Sequence, residues 1–517
     1  MTVLIKAVNG ATTYYLKQGG AIAISSVSGS EQTYLPKIDT VDDLSYELSD
    51  VTGGQVKMNF GGFSLLPDFA AWPVPRFMDV TIYKQLKNQD GSISSEITLM
   101  DATVMATNIN SQNIRYEIYD KIYDVDLLDD APDLGSVTNR VYPLALGVVN
   151  LVVPLQVGAA TDWEYHKAGI VETTPGTGVY KIYDNEVEKT VTIDDQTTKF
   201  QSILIEVWVN GTSIESGISD GDLVTIAGTG TPNNYAGFYI VTDTRTNGVK
   251  IRLNPGTGYK SYTSGNTLGG VSITSVDSIE GKPKGTVLMS GTGLDTTLIG
   301  FFDWAKDRIN TALTTSYTLD SSKALSVSIS GYETQQKNLI AFMSDLAAQT
   351  NHMFYINTVT DTIHLIDMQT NDGTLSVDEY GYFNATYNYQ NPIKSIIYEW
   401  TDKTIDTDDQ GYPILTNQVQ SQKVLLDSDV GKEDVPCKVY HRVISNIETL
   451  LVACGKSLQA PICTITLPFQ AGIVPGLKIT TDNDSTLYGG SGGISTYVRS
   501  IGYDFENEQI ICKGHVI

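Results

Sequence analysis

The chain has 517 residues, 41% of them hydrophobic, and its 34 basic and 59 acidic residues give a formal charge of −25. This length exceeds what one hydrophobic core organises, so we expect several domains. The acidic balance disfavours direct nucleic-acid binding, which needs clustered Lys and Arg. No apolar run reaches the roughly 18 residues of a membrane helix, and the N-terminus lacks a long apolar signal region. We therefore expect no membrane insertion and folding in a cytoplasm.

The first 130 residues alternate between apolar and polar positions in many short segments, which are separated by Gly-rich or Asn-rich turns. This pattern predicts antiparallel strands with one buried face, and hence an N-terminal, tube-like β-barrel over residues 1–130. Within it, residues 63–77 contain Pro67, Pro73 and Pro75. Because proline cannot continue a central strand, we predict a short helix and an extended excursion across the barrel rim there.

The residue pattern changes after the acidic stretch 124–133, where Pro132 marks a boundary. We predict a connector over residues 131–160 and an inserted small β domain over residues 161–290, because long strands alternate there with Gly, Ser, Thr and Asn turns. Aromatic side chains in such a module can stack on sugars, although most aromatics serve in cores or turns. The candidates are Trp163, Tyr235, Tyr239, Tyr259 and Tyr262.

Three later segments carry apolar residues at helical spacing, and they predict helices at residues 301–313, 333–351 and 441–457. After the second helix the sequence predicts a strand at Met353–Ile356, a turn at Asn357–Asp361 and a return strand at Thr362–Asp367. This helix-hairpin module defines a predicted α+β domain over residues 291–380. Residues 381–517 are predicted to form a C-terminal β-barrel with one helix, so the whole chain is mainly β (α+β) and multidomain.

The spacing of cysteine and histidine residues in this sequence favours neither disulfides nor a metal site. The four cysteines, Cys437, Cys454, Cys463 and Cys512, include no C-x-x-C pair, and buried free thiols are the preferred interpretation. The five histidines show no i, i+4 pair. His352 and His364 could meet across the predicted hairpin, but a solvated or capping role is the more ordinary one. We predict no metal site.

One acidic segment resembles a calcium-binding loop. Asp406, Asp408 and Asp409 precede Gly411 with suitable spacing, but Asn417 stands where such a loop needs a bidentate glutamate. A solvated acidic hairpin loop is the better interpretation. The H-E-x-x-H, P-loop and G-x-G-x-x-G motifs are absent. The string G-x-S-x-G occurs at 217–221 and at 489–493, and 489–493 reads as a flexible glycine turn. We therefore predict no enzyme, no catalytic residues and no cofactor.

The helix-hairpin module resembles one in the tail hub, or baseplate hub, proteins of bacteriophages, where a helix beginning Leu-Ile precedes a hairpin containing Phe-Tyr-Ile. Here those residues are Leu339, Ile340 and Phe354–Ile356. Residues 467–479 are similar to a Pro-Gly corner in the last barrel of such hubs, and residues 80–83 are similar to a barrel strand.

This resemblance implies a structural protein of the virion tail tip, assembled in the host cytoplasm. Hubs of this family are homotrimeric rings with two similar barrels per subunit, which adapt a hexameric tail tube or distal tail protein to a trimeric central fibre or spike. It also implies contact with the tape-measure protein, and a channel whose acidic wall lets phage DNA pass without specific binding. The alternative is a tail-tip adhesin that binds host glycans through the inserted domain.

Overall fold

The computed structural model describes residues 2–516 with the exception of twenty stretches. These exceptions are 26–29, 51–52, 88–92, 159–163, 167–179, 185–186, 194–198, 203–204, 227–236, 254–270, 274–277, 281–286, 295, 378–380, 383, 389–392, 408–412, 427–433, 438–446 and 482–494. The fold is mainly β, as the composition and alternation predict. Among the helices in the described part of the chain, none is long and apolar enough to cross a membrane.

Ten strands and two short 3₁₀ helices, at Pro67–Phe69 and Lys121–Asp124, make up the N-terminal region. The strands are β1 (Thr2–Asn9), β2 (Thr12–Gln18), β3 (Ala23–Ser25), β4 (Gln32–Val41), β5 (Leu44–Asp50), β6 (Gly53–Phe60), β7 (Phe63–Leu65), β8 (Phe77–Lys87), β9 (Ile93–Ile109) and β10 (Ile114–Ile118).

The middle of the chain is composed of short strands. They are β11 (Asp130–Ala131), β12 (Arg140–Val141), β13 (Leu144–Leu146), β14 (Val148–Val152), β15 (Leu155–Gln156), β16 (Glu164–His166), β17 (Tyr180–Asp184), β18 (Val187–Ile193), β19 (Lys199–Ser202), β20 (Ile205–Asn210), β21 (Leu223–Ile226), β22 (Gly237–Arg245), β23 (Gly248–Leu253), β24 (Val271–Ile273), β25 (Ser278–Glu280) and β26 (Val287–Thr292).

The C-terminal part mixes helices and strands. It contains α1 (Leu298–Leu313), β27 (Thr318–Lys323), β28 (Gly331–Glu333), α2 (Leu339–Gln349), β29 (His352–Asn357), β30 (Thr362–Asp367), β31 (Thr374–Val377), β32 (Asn384–Asn388), β33 (Ser395–Thr407), β34 (Pro413–Leu425), β35 (Asp434–Cys437), α3 (Ile447–Gln459), β36 (Ile462–Pro468), β37 (Lys478–Thr481), β38 (Ser495–Asp504) and β39 (Gln509–Val516).

The first barrel is closed by hydrogen bonds. Its strands follow the order β2-β1-β8-β9-β10-β7-β4, and β4 pairs back with β2, while β3 extends β4 as a hairpin. Val3, Ile5 and Ala7 alternate along β1 and point into the core. The prediction for residues 63–77 was wrong at its start, because Phe63–Leu65 is strand β7 and the prolines follow it.

Strands β5 and β6 leave the first barrel and join the C-terminal strands, where Tyr46 lies opposite Ile501. From β38 the sheet continues through β39 and β36 to β32 on one side, and through β37 to β31 on the other. Val377 on β31 and Ala385 on β32 belong to one core cluster, so the sheet is rolled into a second barrel around that core. In the part of the chain that the structure describes, β31 and β32 are not paired with each other, and this barrel is open there.

The helix-hairpin module has the predicted form, with β29 and β30 confirming the predicted hairpin. Its helix is shorter than predicted, since Glu333 lies in β28 opposite Leu144 and α2 begins only after Asn338, whose side chain accepts a hydrogen bond from Ala341 N at 3.0 Å. Gln349, in the last turn of α2, is buried. The predicted helix at 301–313 is α1, and the one at 441–457 is α3, with residues 441–446 outside the described residues.

A six-stranded sheet of order β24-β21-β22-β23-β20-β25 forms the inserted small β domain. Its core is separate from that of the barrels and contains Val207, Val209, Ile218, Val224, Ile226, Tyr239, Val241, Val249 and Ile251. The chain enters this region after β14 and returns through β26, and these strands pair antiparallel with Val152 opposite Met289. The two ends of the insertion are therefore adjacent. The domain limits at residues 130, 160, 290 and 380 stay a prediction.

Candidate functional site

The most distinctive structural feature of the chain is the junction between its two barrels. The chain crosses from β4 to β5 at Asp42 and returns from β6 to β7 at Gly62, and Asp42 N donates to the Gly62 carbonyl at 3.0 Å. Arg115 on β10 forms an ion pair with Asp42, with Nη1 3.2 Å from Oδ1. Gly62 has φ +119°, and a Cβ there would overlap the Tyr116 carbonyl oxygen. The crossing therefore requires glycine at this position.

One apolar core extends through both barrels. Val3 and Ile82 from the first barrel and Ile465 and Cys512 from the second belong to the same cluster of buried side chains. At the usual 25 cal/mol per Å² of buried apolar area, a shared core of this kind makes the two barrels mutually stabilising. They are one packed body.

Lys84 of β8 is the one lysine in the described residues that is buried, and it lies at this junction. Its Nζ is 5.4 Å from the ring centre of Phe469 and 4.9 Å from that of Phe505, and it donates to the Phe505 carbonyl at 3.4 Å. Burial lowers the pKa of Lys84, while Glu508, Asp43 and Asp504 oppose that shift. The first barrel is therefore anchored to the last hairpin by a cation between two aromatic rings.

The helix-hairpin module is fixed to the second barrel by backbone pairing. Met353 and Phe354 of β29 pair in parallel with Gly54 and Gln55 of β6. Gln55 N also donates to the Ser344 hydroxyl on α2 at 2.9 Å. The sheet of the second barrel thus continues into the module, which braces the junction.

Two exposed apolar surfaces project from this body. On the β3–β4 hairpin, Ile22, Ile24 and Leu35 are 59%, 58% and 43% exposed. On the long β33–β34 hairpin, Val419 and Leu425 are 72% and 57% exposed. Apolar side chains grouped on projecting hairpins are typical of protein–protein contact surfaces.

An acidic groove lies between the segment 124–130 and α1, with a volume of about 680 Å³. Arg308 partly neutralises it by donating to Asp129 at 2.9 Å. Its acidic lining consists of Asp124, Asp126, Asp129, Asp130 and Asp307. Part of the chain's net negative charge is therefore concentrated in this groove.

The histidines of the module do not meet. His352 lies opposite Asp367 and His364 lies opposite Tyr355 in the hairpin. His352 is buried, not solvated: its Nδ1 is 2.7 Å from the Thr350 carbonyl at the end of α2, and its Nε2 accepts from Leu325 N at 3.0 Å. Burial lowers the pKa of His352 to about 4. Both nitrogens are thus occupied by structural hydrogen bonds.

The remaining candidate residues are placed as follows. Cys454, Cys463 and Cys512 are buried thiols outside any disulfide, as predicted, while the Cys437 side chain lies outside what the structure describes. Within the described residues no three His, Cys, Asp or Glu side chains are arranged to hold a metal ion. The calcium-like segment lies at the turn of the β33–β34 hairpin, whose residues 408–412 lie outside the described residues.

Of the five aromatic residues considered for glycan binding, the structure describes one. Tyr239 is buried in the core of the inserted sheet, where its ring faces Val and Ile side chains and cannot stack on a sugar. Tyr239 therefore has the core role that is the more common one for aromatics in such a module. The other four, Trp163, Tyr235, Tyr259 and Tyr262, lie outside the described residues.

No family model matches the sequence, and no curated protein matches it. The fold was also compared with solved structures. A 43 kDa tail protein of prophage MuSo2 from Shewanella oneidensis is 10% identical with a TM-score of 0.27, and covers 62% of this chain and 98% of its own. A tail protein from Neisseria meningitidis MC58 is 8% identical with a TM-score of 0.26, and covers 65% and 96%.

A chain of the phage P2 baseplate, in its activated conformation with Ca, is 8% identical with a TM-score of 0.21 and covers 94% of this chain and 93% of its own. At these TM-scores the alignments carry no functional argument. These solved structures, to which the chain is similar in fold, are phage tail and baseplate proteins, the group that its sequence resembles.

Proposed function

We propose that the chain is the structural hub of a phage tail, a homotrimeric ring that adapts a six-fold tube to a three-fold tip. The observation that supports this most directly is the pair of barrels joined on one core, with β5 and β6 of the N-terminal region built into the second barrel. A rigid two-barrel subunit presents two similar units at a fixed angle. Three such subunits place six barrels around one axis.

The symmetry argument explains why rigidity matters. A ring closes only if each subunit fixes the rotation to the next, because a head-to-tail contact with the wrong angle gives an open filament. The Asp42–Gly62 crossing, the buried Lys84 and the module that continues the second sheet all fix that angle within the subunit. The exposed surface on the β3–β4 hairpin is our candidate for a ring contact.

In this proposal the axial face of the ring is acidic and lines a channel for DNA. Like charge keeps a duplex from adhering to the wall during ejection. One face meets the tail tube or distal tail protein and the tape-measure protein, and the opposite face meets the central fibre or spike. No catalytic group is required for this role.

The test is the oligomeric state of the chain alone and mixed with the tail tube or distal tail protein of the same phage. Mass photometry and negative-stain microscopy should show three subunits around an open centre. Ile24→Glu should abolish the ring. The control is Val137→Glu, which should leave the ring intact, since Val137 is similarly exposed (56%) but is not part of the β3–β4 hairpin. A monomer that persists beside the tube protein would overturn the proposal.

A further inference from the structure

A cleft lies between the outer face of the first barrel and the segments that pack against it. Its volume is about 390 Å³, which falls within the roughly 300–1,000 Å³ of typical small-molecule sites. One wall is formed by β1, β8 and β9. The other wall is formed by the residues after α1, the 3₁₀ helix at Lys121–Asp124 and the turn between β29 and β30. Junctions of this kind are common places for ligand sites.

The barrel wall of the cleft consists of side chains that point away from the barrel core. Val80 and Ile82 of β8 face that core, so Thr81 between them faces outward. In the register of the sheet, Thr81 lies opposite Lys6 of β1 on one side and opposite Asp101 of β9 on the other. A cation, a hydroxyl and a carboxylate therefore lie side by side across three strands.

The opposite wall contributes the same three kinds of group. It contains Lys121, Tyr317 and Asp361. Burial, followed by nearby carboxylates, raises the pKa of Tyr317 to about 12, so its hydroxyl stays protonated and can donate a hydrogen bond. Asp101 N donates to Thr358 Oγ1 at 3.2 Å, which holds the two walls together.

Several polar groups of the cleft have spare hydrogen-bonding capacity. Within the part of the chain that the structure describes, the Tyr317 hydroxyl has no hydrogen-bond partner, and neither Lys6 nor Lys121 forms a salt bridge. Burial raises the pKa of Asp101, and the Thr81 hydroxyl, which donates to it, offsets that shift only in part. A carboxylate can accept about four hydrogen bonds, so acceptor positions of Asp101 remain open.

Two further aspartates of the cleft are already engaged. Asp79 accepts from Thr103 Oγ1 at 2.8 Å, and Asp120 accepts from Ile122 N at 3.1 Å. The acceptors that remain open therefore belong to the other two aspartates, and they match the two lysines in number.

We propose that this cleft binds a neutral saccharide. An anionic ligand would face Asp101 and Asp361, and a cationic one would face Lys6 and Lys121, so like charge disfavours both. A sugar hydroxyl both donates and accepts a hydrogen bond, and can therefore bridge a lysine and an aspartate that lie side by side. Apolar side chains complete the lining and suit the C–H groups of a sugar ring. They include Met58, Ile118 and Leu313.

Saccharide binding at this cleft does not depend on the hub proposal, and none of the described residues of the inserted domain lines the cleft. Saturation-transfer NMR with the full chain measures it. The probes are the methyl glycosides of glucose, galactose and N-acetylglucosamine, with spermidine as a cation and sodium acetate as an anion. We expect saturable binding of a glycoside that neither ion displaces.

Two variants of Asp101 distinguish recognition of hydroxyl groups from recognition of charge. Asp101→Leu removes the acceptor and should weaken glycoside binding about tenfold, whereas Asp101→Asn keeps an oxygen acceptor and should weaken it by less than about threefold. Tyr317→Phe removes one donor and should weaken binding about fivefold. The control is Asp126→Asn in the acidic groove, which should leave binding unchanged because Asp126 does not line the cleft.

If none of the three glycosides binds saturably at concentrations up to about 50 mM, the proposal is wrong. Equal losses in Asp101→Asn and Asp101→Leu would show that the cleft recognises the charge of Asp101, and displacement of the glycoside by spermidine would show the same. Either result makes the cleft a cation site and overturns the proposal, as does glycoside binding that none of the cleft variants weakens. Melting temperatures of the variants establish that each remains folded.

Discussion

The barrel pair and the inserted sheet are built from similar strands but differ in how far along the chain their contacts reach. The core of the pair joins Val3 to Cys512, whereas the core of the inserted sheet joins Val207 to Ile251. Distant contacts make a unit that forms only when both chain ends are present, and local contacts make one that forms alone. We therefore expect two unfolding units, one for both barrels together and one for the insertion.

The largest effect should come from the crossing between the barrels. Gly62→Ala places a Cβ against the Tyr116 carbonyl at φ +119°, so we expect a loss of more than about 4 kcal/mol, with both barrels unfolding. Gly135→Ala is the control, since its φ is +60° and nothing lies near its Cβ. That change should cost about 1 kcal/mol. Urea unfolding followed by tyrosine fluorescence measures both, and equal midpoints would refute the argument.

A matched pair of isoleucines tests the two units directly. Ile465 on β36 and Ile251 on β23 are both completely buried. Truncation of either to alanine should cost about 2–5 kcal/mol within its own unit. Hydrogen exchange should show that Ile465→Ala weakens protection in β1 and β8 of the first barrel, while Ile251→Ala weakens only the inserted sheet. Protection lost only in the second barrel would separate the two barrels into independent units.

These contrasts also show what the sequence could and could not predict. The β29–β30 hairpin and the apolar face of α2 were predictable because their periodicity and their partners are both local. The transfer of β5 and β6 to the second barrel was not, since alternation identifies a strand but not the strand that pairs with it. The start of α2 was misplaced because polar residues 334–337 suit a helix face as well as the loop that leads to Asn338.

The buried Arg499 illustrates the same limit for the candidate sites. In the segment 495–504, period-two alternation places Arg499 on the face opposite Val498, and its burial there depends on Met353 and Met368, which lie far along the chain. Lys84 shares the period-two face of Val80, Ile82 and Leu86 on β8, so alternation marks its position as core-facing. The aromatic rings that hold its ammonium group, Phe469 and Phe505, lie far along the chain, and no local pattern identifies them.

Acid should destabilise the barrel pair but not the inserted sheet. His352 protonates near pH 6.5 in the unfolded chain and near pH 4 in the folded one, because burial disfavours its charged form. Between these values the unfolded state holds more protons, so the free energy of unfolding falls as pH falls, by about 3 kcal/mol for this group. The inserted sheet, residues 205–280, contains no histidine.

Thermal unfolding from pH 7.5 to 4 measures this difference. The transition of the barrel pair should move to lower temperature below pH 6.5, and that of the insertion should stay nearly constant over the same range. His352→Gln keeps an acceptor for Leu325 N and removes one of two similar titrating groups, so it should reduce the slope for the barrel pair. His515, whose pKa burial also lowers to about 4, should supply the remaining slope. An unchanged slope in this variant would assign the acid sensitivity to other groups.

Removal of the inserted region should affect the stability of the barrel pair least, although it removes more residues than any other change. Because β14 and β26 pair with Val152 opposite Met289, residues 153–288 can be replaced by a two-residue Asn-Gly turn that closes a hairpin. We expect the melting temperature of the barrel pair and any ring formed with the tube protein to be unchanged. Loss of binding to host envelope, with the ring intact, would assign host recognition to the insertion and assembly to the barrels. Loss of the ring would instead make the insertion part of the subunit contact, which would contradict the division into two units.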